Sequence, residues 1–139
     1  MSTYIDTHVA VWLYAGEIKK IAHDARDAID KADGLLISPM ALLELAYLNE
    51  IQRISATSAD IALALRAEWG CEVCNLPFLE VVVAACRETW TRDPFDRIIV
   101  AQARANNQSQ LVTADTRIRE VYAEAIWDKS GVYGSPTTE

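Results

Sequence analysis

Four acidic residues stand where acids do not usually stand: Asp6, Glu44, Asp96 and Asp115. In open α/β sheets, ligands bind outside the carboxyl ends of the strands. Asp6 ends the apolar run Thr3-Tyr4-Ile5, and Asp115 closely follows Leu111-Val112-Thr113. If both runs are parallel strands, the two carboxylates project from one edge of the sheet. Glu44 and Asp96 are found by helical periodicity, in which residues three, four and seven apart share a face. In a helix starting at Pro39, Glu44 shares its face with Met40, Ala41, Tyr47 and Leu48; in one starting at Pro94, Asp96 shares its face with Ile99, Val100 and Ala103. An acid on such a face points inward. A carboxylate buried without a partner is costly, so an ion or a hydrogen-bonding network is implied.

The chemistry follows from the charge. Two carboxylates about 5 Å apart repel by roughly 3 kcal/mol at an effective dielectric near 20, and four of them form several such pairs. A divalent cation removes that repulsion. An oxygen-only donor set suits Mg²⁺, with Mn²⁺ as a substitute, far better than zinc, and His8 and His23 are too few and too poorly placed to change this. Such an ion activates a water for attack on a phosphodiester and stabilises charge on the phosphate. Each acid also has a plain structural reading. Asp96 could be the third residue of a capping-box-like start after Asp93, Asp6 and Asp115 could cap the helices that follow them, and Glu44 could pair with an arginine. It is their joint convergence on one sheet edge that favours a metal-dependent hydrolase.

The elements that must position these acids are legible. Short apolar runs at Thr3–Ile5, Leu35–Ile37, Cys71–Leu76, Gln110–Thr113 and Ala125–Trp127 alternate with stretches of helical periodicity. This is the pattern of a parallel sheet covered by helices. Ser38-Pro39 and Asp93-Pro94 each place a cap residue before a proline at the first helical position. Further helices are expected at His8–Tyr14, Glu17–Lys31, Ser58–Trp69 with Gly70 as the stop, Phe78–Glu88 and Thr116–Tyr122. The expected fold is α/β, a three-layer sandwich whose mainly parallel sheet of about five strands is flanked by six or seven helices. A chain of 139 residues is the size of one domain. Residues 1–130 are read as that domain, and 131–139, rich in small and polar residues, as a loose tail.

The net charge of −7 argues against a uniformly phosphate-binding surface. Yet six of the thirteen basic residues, Arg87, Arg92, Arg97, Arg104, Arg117 and Arg119, lie between positions 87 and 119, around two of the acids. No apolar run approaches membrane-spanning length, and Met1–Asp6 lacks a secretory signal, so a cytoplasmic protein without membrane contact is expected. Cys71 and Cys74 form a lone C-x-x-C on an expected strand, where positions three apart face opposite sides. With no second pair to complete a zinc site, all three cysteines are expected to be reduced and mostly buried.

Four segments resemble the PIN domains, and within them the VapC-type toxin nucleases of prokaryotic toxin–antitoxin pairs. They are Tyr4-Ile-Asp-Thr-His-Val-Ala-Val-Trp-Leu13, Ile37-Ser-Pro-Met-Ala-Leu-Leu-Glu-Leu45, Arg92-Asp-Pro-Phe-Asp-Arg-Ile-Ile-Val-Ala-Gln-Ala103 and Leu111-Val-Thr-Ala-Asp115. The likeness runs from Asp6 to about Trp127. It carries the family's catalytic acids onto Asp6, Glu44, Asp96 and Asp115, with Asp6, Asp96 and Asp115 as metal ligands, and it selects Asp96 over Asp93. Thr113 is expected beside the cluster as a hydroxyl that orients an acid or a water, and Arg97 as a contact to substrate. Leu43 departs from a position often aromatic in the family, which affects packing more than chemistry. The resemblance further implies an endoribonuclease acting on RNA, a cognate antitoxin protein and a homodimer. For the dimer, the Ala/Leu faces of the helices between residues 40 and 69 are candidates.

Two other classes compete. A phosphoacceptor receiver domain also gathers acids at strand ends, but the acidic pair beside the first strand and the late lysine it needs are missing. A non-catalytic PIN-like module binding RNA or protein would be expected to have lost one or more of the four acids, and all four are present.

Overall fold

A computed structural model of the chain describes residues 2–128. The tail expected at 131–139 lies outside the described residues. Five parallel strands form one sheet in the order β3-β2-β1-β4-β5: β1 (Ser2–Ile5), β2 (Gly34–Ile37), β3 (Cys71–Val73), β4 (Gln110–Val112) and β5 (Ala125–Ile126). Seven α-helices flank the sheet among the described residues: α1 (Thr7–Ala15), α2 (His23–Lys31), α3 (Pro39–Glu50), α4 (Ser58–Trp69), α5 (Phe78–Ala85), α6 (Pro94–Ala105) and α7 (Thr116–Val121). None is long and apolar enough to cross a membrane.

The order of strands decides where the acids meet. β1 is central, paired with β2 through Tyr4 and Leu36 and with β4 through Ile5 and Val112. The carboxyl ends of β1 and β4 are therefore neighbours, and each is followed within a few residues by a helix. Both faces of such strands are covered, so their residues are continuously apolar. Tyr4, Ile5, Leu111 and Val112 are all buried, in one core with Val9, Leu45, Ile61, Leu65, Ile99 and Ile118.

Local chemistry sets the helix ends. The Ser38 hydroxyl accepts from the Met40 amide at 3.0 Å at the start of α3, and Asp93 Oδ1 accepts from the Phe95 amide at 2.8 Å at the start of α6. In both helices proline takes the first position, where its missing N–H leaves no bond unmade. Gly70 stops α4 in the left-handed conformation (φ 65°), which lets its amide close onto the Arg66 carbonyl.

Three elements and one cysteine differ from the sequence reading. The stretch expected as one helix from Glu17 to Lys31 is a 3₁₀ turn at Ile18–Lys20 followed by α2, with Ile21 and Ala22 extended between them. The spacing Ile18, Ile21, Ala25, Ile29 reads as one face, but it is shared between two pieces, and the extended Ile21 is driven into the core (1% exposed). The strand expected to reach Leu76 ends at Val73, because its partner β2 ends opposite, at Ile37. The next ladder bond, from the Cys74 amide to the Ile37 carbonyl, is the last available before Ser38 turns into α3. The helix expected to reach Glu88 ends at Ala85, whose carbonyl accepts from Arg97 Nε and Nη2 at 3.3 and 3.2 Å. Cys71 and Cys74 are buried free thiols, as expected, but Cys86, just past the end of α5, is exposed.

The register of β1 is also held from the side. The buried Tyr4 hydroxyl shares a hydrogen bond with Cys74 Sγ at 2.9 Å and accepts from Asn106 Nδ2 at 2.9 Å, tying β1 to the segments after β3 and α6. Tyr4→Phe keeps the ring and removes this junction. It is expected to cost about 1–2 kcal/mol, because the partners lose their bond inside the protein. Urea unfolding followed by circular dichroism checks this; a midpoint equal to that of the parent chain would show the junction to be energetically idle.

Candidate active site

Asp6 is the first residue past β1 and still belongs to the ladder, its amide donating to the Val112 carbonyl at 3.0 Å. Its extended backbone makes it the N-cap of α1, with Oδ1 accepting from the Thr7 amide at 2.8 Å. Oδ2 accepts from the Thr113 hydroxyl at 2.6 Å. The side chain is 8% exposed. Burial raises its pKa above the ordinary aspartate value. The bonds from Thr113 and Thr7 and the nearby His8 oppose the rise, and Asp115 adds to it.

The Thr113 hydroxyl is a hinge between two acids. While it donates to Asp6, it accepts from the Asp115 amide at 3.0 Å. Asp115 caps α7, with Oδ1 accepting from the Ile118 amide at 2.9 Å. On the other side of Asp6, the Thr7 hydroxyl donates to Glu44 Oε1 at 2.6 Å, reaching from α1 to the second turn of α3. Glu44, Thr7, Asp6, Thr113 and Asp115 thus form one continuous run of residues joined by hydrogen bonds, across two helix starts, the second turn of α3 and two strand ends. Glu44 is raised by burial first; the Thr7 hydrogen bond lowers it, Asp6 raises it, His8 lowers it and Asp93 raises it.

Asp96 joins this group through the field alone. It sits in the first turn of α6, partly buried, and its carboxyl is pushed up to about 7 by burial first and then by Asp93, Asp6, Asp115 and Glu44. Asp93 stays the cap of its own helix. Among the described residues, no lysine or arginine forms an ion pair with any of the four acids. Three of the arginines nearby in sequence are engaged elsewhere: Arg97 on the Ala85 carbonyl, Arg104 on Glu88, and Arg117 on the Trp90 carbonyl.

Among the described residues, no three His, Cys, Asp or Glu side chains converge closely enough to ligate one ion together. The four acids therefore do not form the expected single pocket of converging oxygens. Threonine hydroxyls hold Asp6 and Glu44, and mutual repulsion keeps the carboxylates from closing up. This donor set fits an ion that keeps most of its water. Mg²⁺ is bound through one or two carboxylates with several waters retained, without a protein cage. Asp6 has a further lone pair on each oxygen, and Asp96 has no hydrogen-bonded partner to displace. Thr7 escaped the sequence reading. Its signal was its place immediately after a strand-ending aspartate, where the first helical residue can turn its side chain toward α3.

Comparison with known proteins agrees with this fold. Residues 3–124 match the family described as PIN domain. The chain is 33% identical over 116 residues to Ribonuclease VapC22 of Mycobacterium tuberculosis, covering 83% of this chain and 88% of that protein. Among solved structures it resembles a chain of the VapBC2 complex of Rickettsia felis bound to a DNA fragment from its promoter, with a TM-score of 0.60 at 13% identity, covering 92% of this chain and 98% of that one. It also resembles a chain of a toxin–antitoxin complex from Klebsiella pneumoniae, with a TM-score of 0.61 at 16% identity, covering 89% and 95%. A match spanning nearly the whole described fold, on a chain whose acids line one edge of a parallel sheet, establishes that this protein belongs to the PIN-domain family.

Proposed function

We propose that the protein is a Mg²⁺-dependent endoribonuclease, the toxin of a toxin–antitoxin pair, hydrolysing RNA phosphodiester bonds at the edge formed by Asp6, Glu44, Asp96 and Asp115. The observation that carries this reading is the run of hydrogen bonds that joins Glu44, Asp6 and Asp115 at one edge of the sheet, with Asp96 partly buried nearby, its carboxyl raised to about 7 first by burial and then by the neighbouring acids, and with no lysine or arginine among the described residues paired to the four acids. Such a site is least comfortable when empty, and a hard dication is what relieves it. Likeness to a protein named a ribonuclease supports RNA as the polymer. Likeness to chains of toxin–antitoxin complexes supports an antitoxin partner.

In this reading Asp6, Asp96 and Asp115 hold the ion, directly or through water, and Mn²⁺ substitutes for Mg²⁺. When bound, the ion supplies positive charge to the phosphate and lowers the pKa of an attacking water. The chain's own residues do the positioning. Thr113 fixes Asp6 Oδ2, the Thr7 amide fixes Oδ1, and the Thr7 hydroxyl holds Glu44 Oε1. That leaves Glu44 Oε2 to orient the water or take its proton. Arg97, one residue beyond Asp96 and anchored on Ala85, is assigned to the phosphate backbone of the substrate. Exposed apolar side chains on α3 and α5, Leu43, Tyr47, Phe78, Leu79 and Val83, support a protein-binding face for the antitoxin or for a second copy in a homodimer. Its substrate places the protein in the cytoplasm.

Asp6→Asn and Asp96→Asn keep the shapes and remove the charges. Each is expected to lower Mg²⁺-dependent cleavage of a fluorogenic RNA by on the order of a hundredfold or more while the fold persists. Full activity in both would refute the assignment, and a parent chain inert with Mg²⁺ and Mn²⁺ would favour a binding module.

The raised carboxyl of Asp96 also sets a pH dependence. Between the ordinary value of 3.8 and about 7, the folded chain binds more protons than the unfolded one. Metal-free stability is therefore expected to fall as pH rises through that window. Asp96→Asn should flatten the fall and, above pH 7, stabilise the metal-free chain by about 1–2 kcal/mol after allowance for solvent screening. Added Mg²⁺ should recover the loss in the parent and not in the variant. Melting curves at pH 5 and pH 8 decide; a variant that melts below the parent at pH 8 without metal would contradict the repulsion.

A further inference from the structure

The helices that bear Asp96 and Asp115 rest on different supports. α6 packs chiefly on α5, α3 and β4, whereas α7 packs chiefly on β5. The distance between the two acids therefore depends on what bridges these helices, and besides the β4–β5 pairing one such bridge is the segment 86–93 that leads into α6.

Glu88 in that segment is 4% exposed and paired with Arg104 of α6, at 2.7 Å from Nε to Oε2 and 3.5 Å from Nη2 to Oε1. The same Oε1 accepts the indole N–H of Trp90 at 2.8 Å. From the opposite side, Arg117 in the first turn of α7, two residues after Asp115, donates to the Trp90 carbonyl. Its guanidinium lies over the Trp90 ring, 5.9 Å from the centroid. Trp90 is thus gripped at its N–H by a carboxylate anchored on α6, and at its carbonyl and ring face by an arginine of α7. Onward, the Thr91 hydroxyl accepts from the Asp93 amide at 3.1 Å, and Asp93 caps the turn that contains Asp96.

Resting on the assignment of Asp96 and Asp115 to a metal-dependent site, we propose that Trp90, clamped between Glu88 and Arg117, is a positioning residue that sets the spacing of those two acids. It touches neither ion nor substrate. Its effect passes through the helix starts on either side, which makes Arg117 the accessible lever: the side chain is exposed, so its removal does not open the core.

The test uses the full chain with Arg117→Ala and Arg117→Lys, measured three ways. These are Mn²⁺ affinity by calorimetry, amide hydrogen exchange across 88–93, and kcat and KM on a fluorogenic RNA over a salt series. Arg117→Ala is expected to weaken Mn²⁺ binding and speed exchange in the segment, each about tenfold, the scale of one charge-assisted hydrogen bond with its ring contact. It should lower kcat with KM and salt slope unchanged, and Arg117→Lys, still cationic, should recover part of each loss. Unchanged Mn²⁺ affinity and exchange in the alanine variant would overturn the clamp. So would a raised KM with a shallower salt slope and intact kcat, which would make Arg117 a direct phosphate contact. A parent chain that cleaves no RNA would sink the nuclease reading instead, while the exchange and Mn²⁺ measurements would still decide the clamp.

Discussion

The structure is organised around the repulsion of carboxylates that the topology forces onto one edge of a sheet. β1 and β4 are adjacent and parallel, so the residues leaving them, Asp6 and Asp115, emerge side by side. α3 and α6 then each present one acid toward the same place. Nothing in the described fold cancels this charge with a lysine or arginine. What holds the acids in place while they repel is dipolar: backbone amides at the starts of α1 and α7, and the hydroxyls of Thr7 and Thr113. Amides at helix N-termini carry partial positive charge, so they soften the repulsion without neutralising it. A full cation from the protein would have made the edge stable and left little reason to bind a metal ion.

Much of the fold was legible because its signals are local. Ser38-Pro39 and Asp93-Pro94 announce helix starts with a cap and a proline, and Gly70 announces a stop; none depends on distant partners. The strands were legible as apolar runs because a covered parallel sheet buries both faces. Failures came where a tertiary partner overrode the local pattern. Ile18, Ile21, Ala25 and Ile29 keep helical spacing across a break, and only the core can show that Ile21 is extended. The end of β3 depends on where β2 ends, and α5 gives way after Ala85 to a tighter turn in which the Ala85 carbonyl accepts from both the Glu88 amide and Arg97. Cys86, apolar in type and following a helix of apolar residues, gave no sign that it would lie on the surface.

The site divides in the same way. Asp6, Glu44, Asp96 and Asp115 could be singled out because each contradicts its surroundings, as an acid at a strand end or on an apolar helix face. Thr7 could not, since a threonine opening a helix contradicts nothing. Its importance appears only when Glu44, 37 positions away, is found to accept a hydrogen bond from its hydroxyl. The arginines were legible only in part. Their clustering in sequence suggests a basic surface, but Arg97, Arg104 and Arg117 are engaged by groups of the protein itself.

That use of the arginines bears on how a chain of net charge −7 could handle a polyanion. Arg104 and Arg117, employed in holding the segment 86–93 to α6 and α7, contribute little to a phosphate-binding surface. Positive charge at the point of reaction must then come mainly from a bound ion. The same division holds throughout: acids gather at one sheet edge, arginines brace the helices that present them, and the threonines fix which carboxylate oxygens remain unbonded. Geometry at the edge is therefore a property of the helix supports as much as of the acids, which is why residues that never touch the reacting groups can govern how well they work.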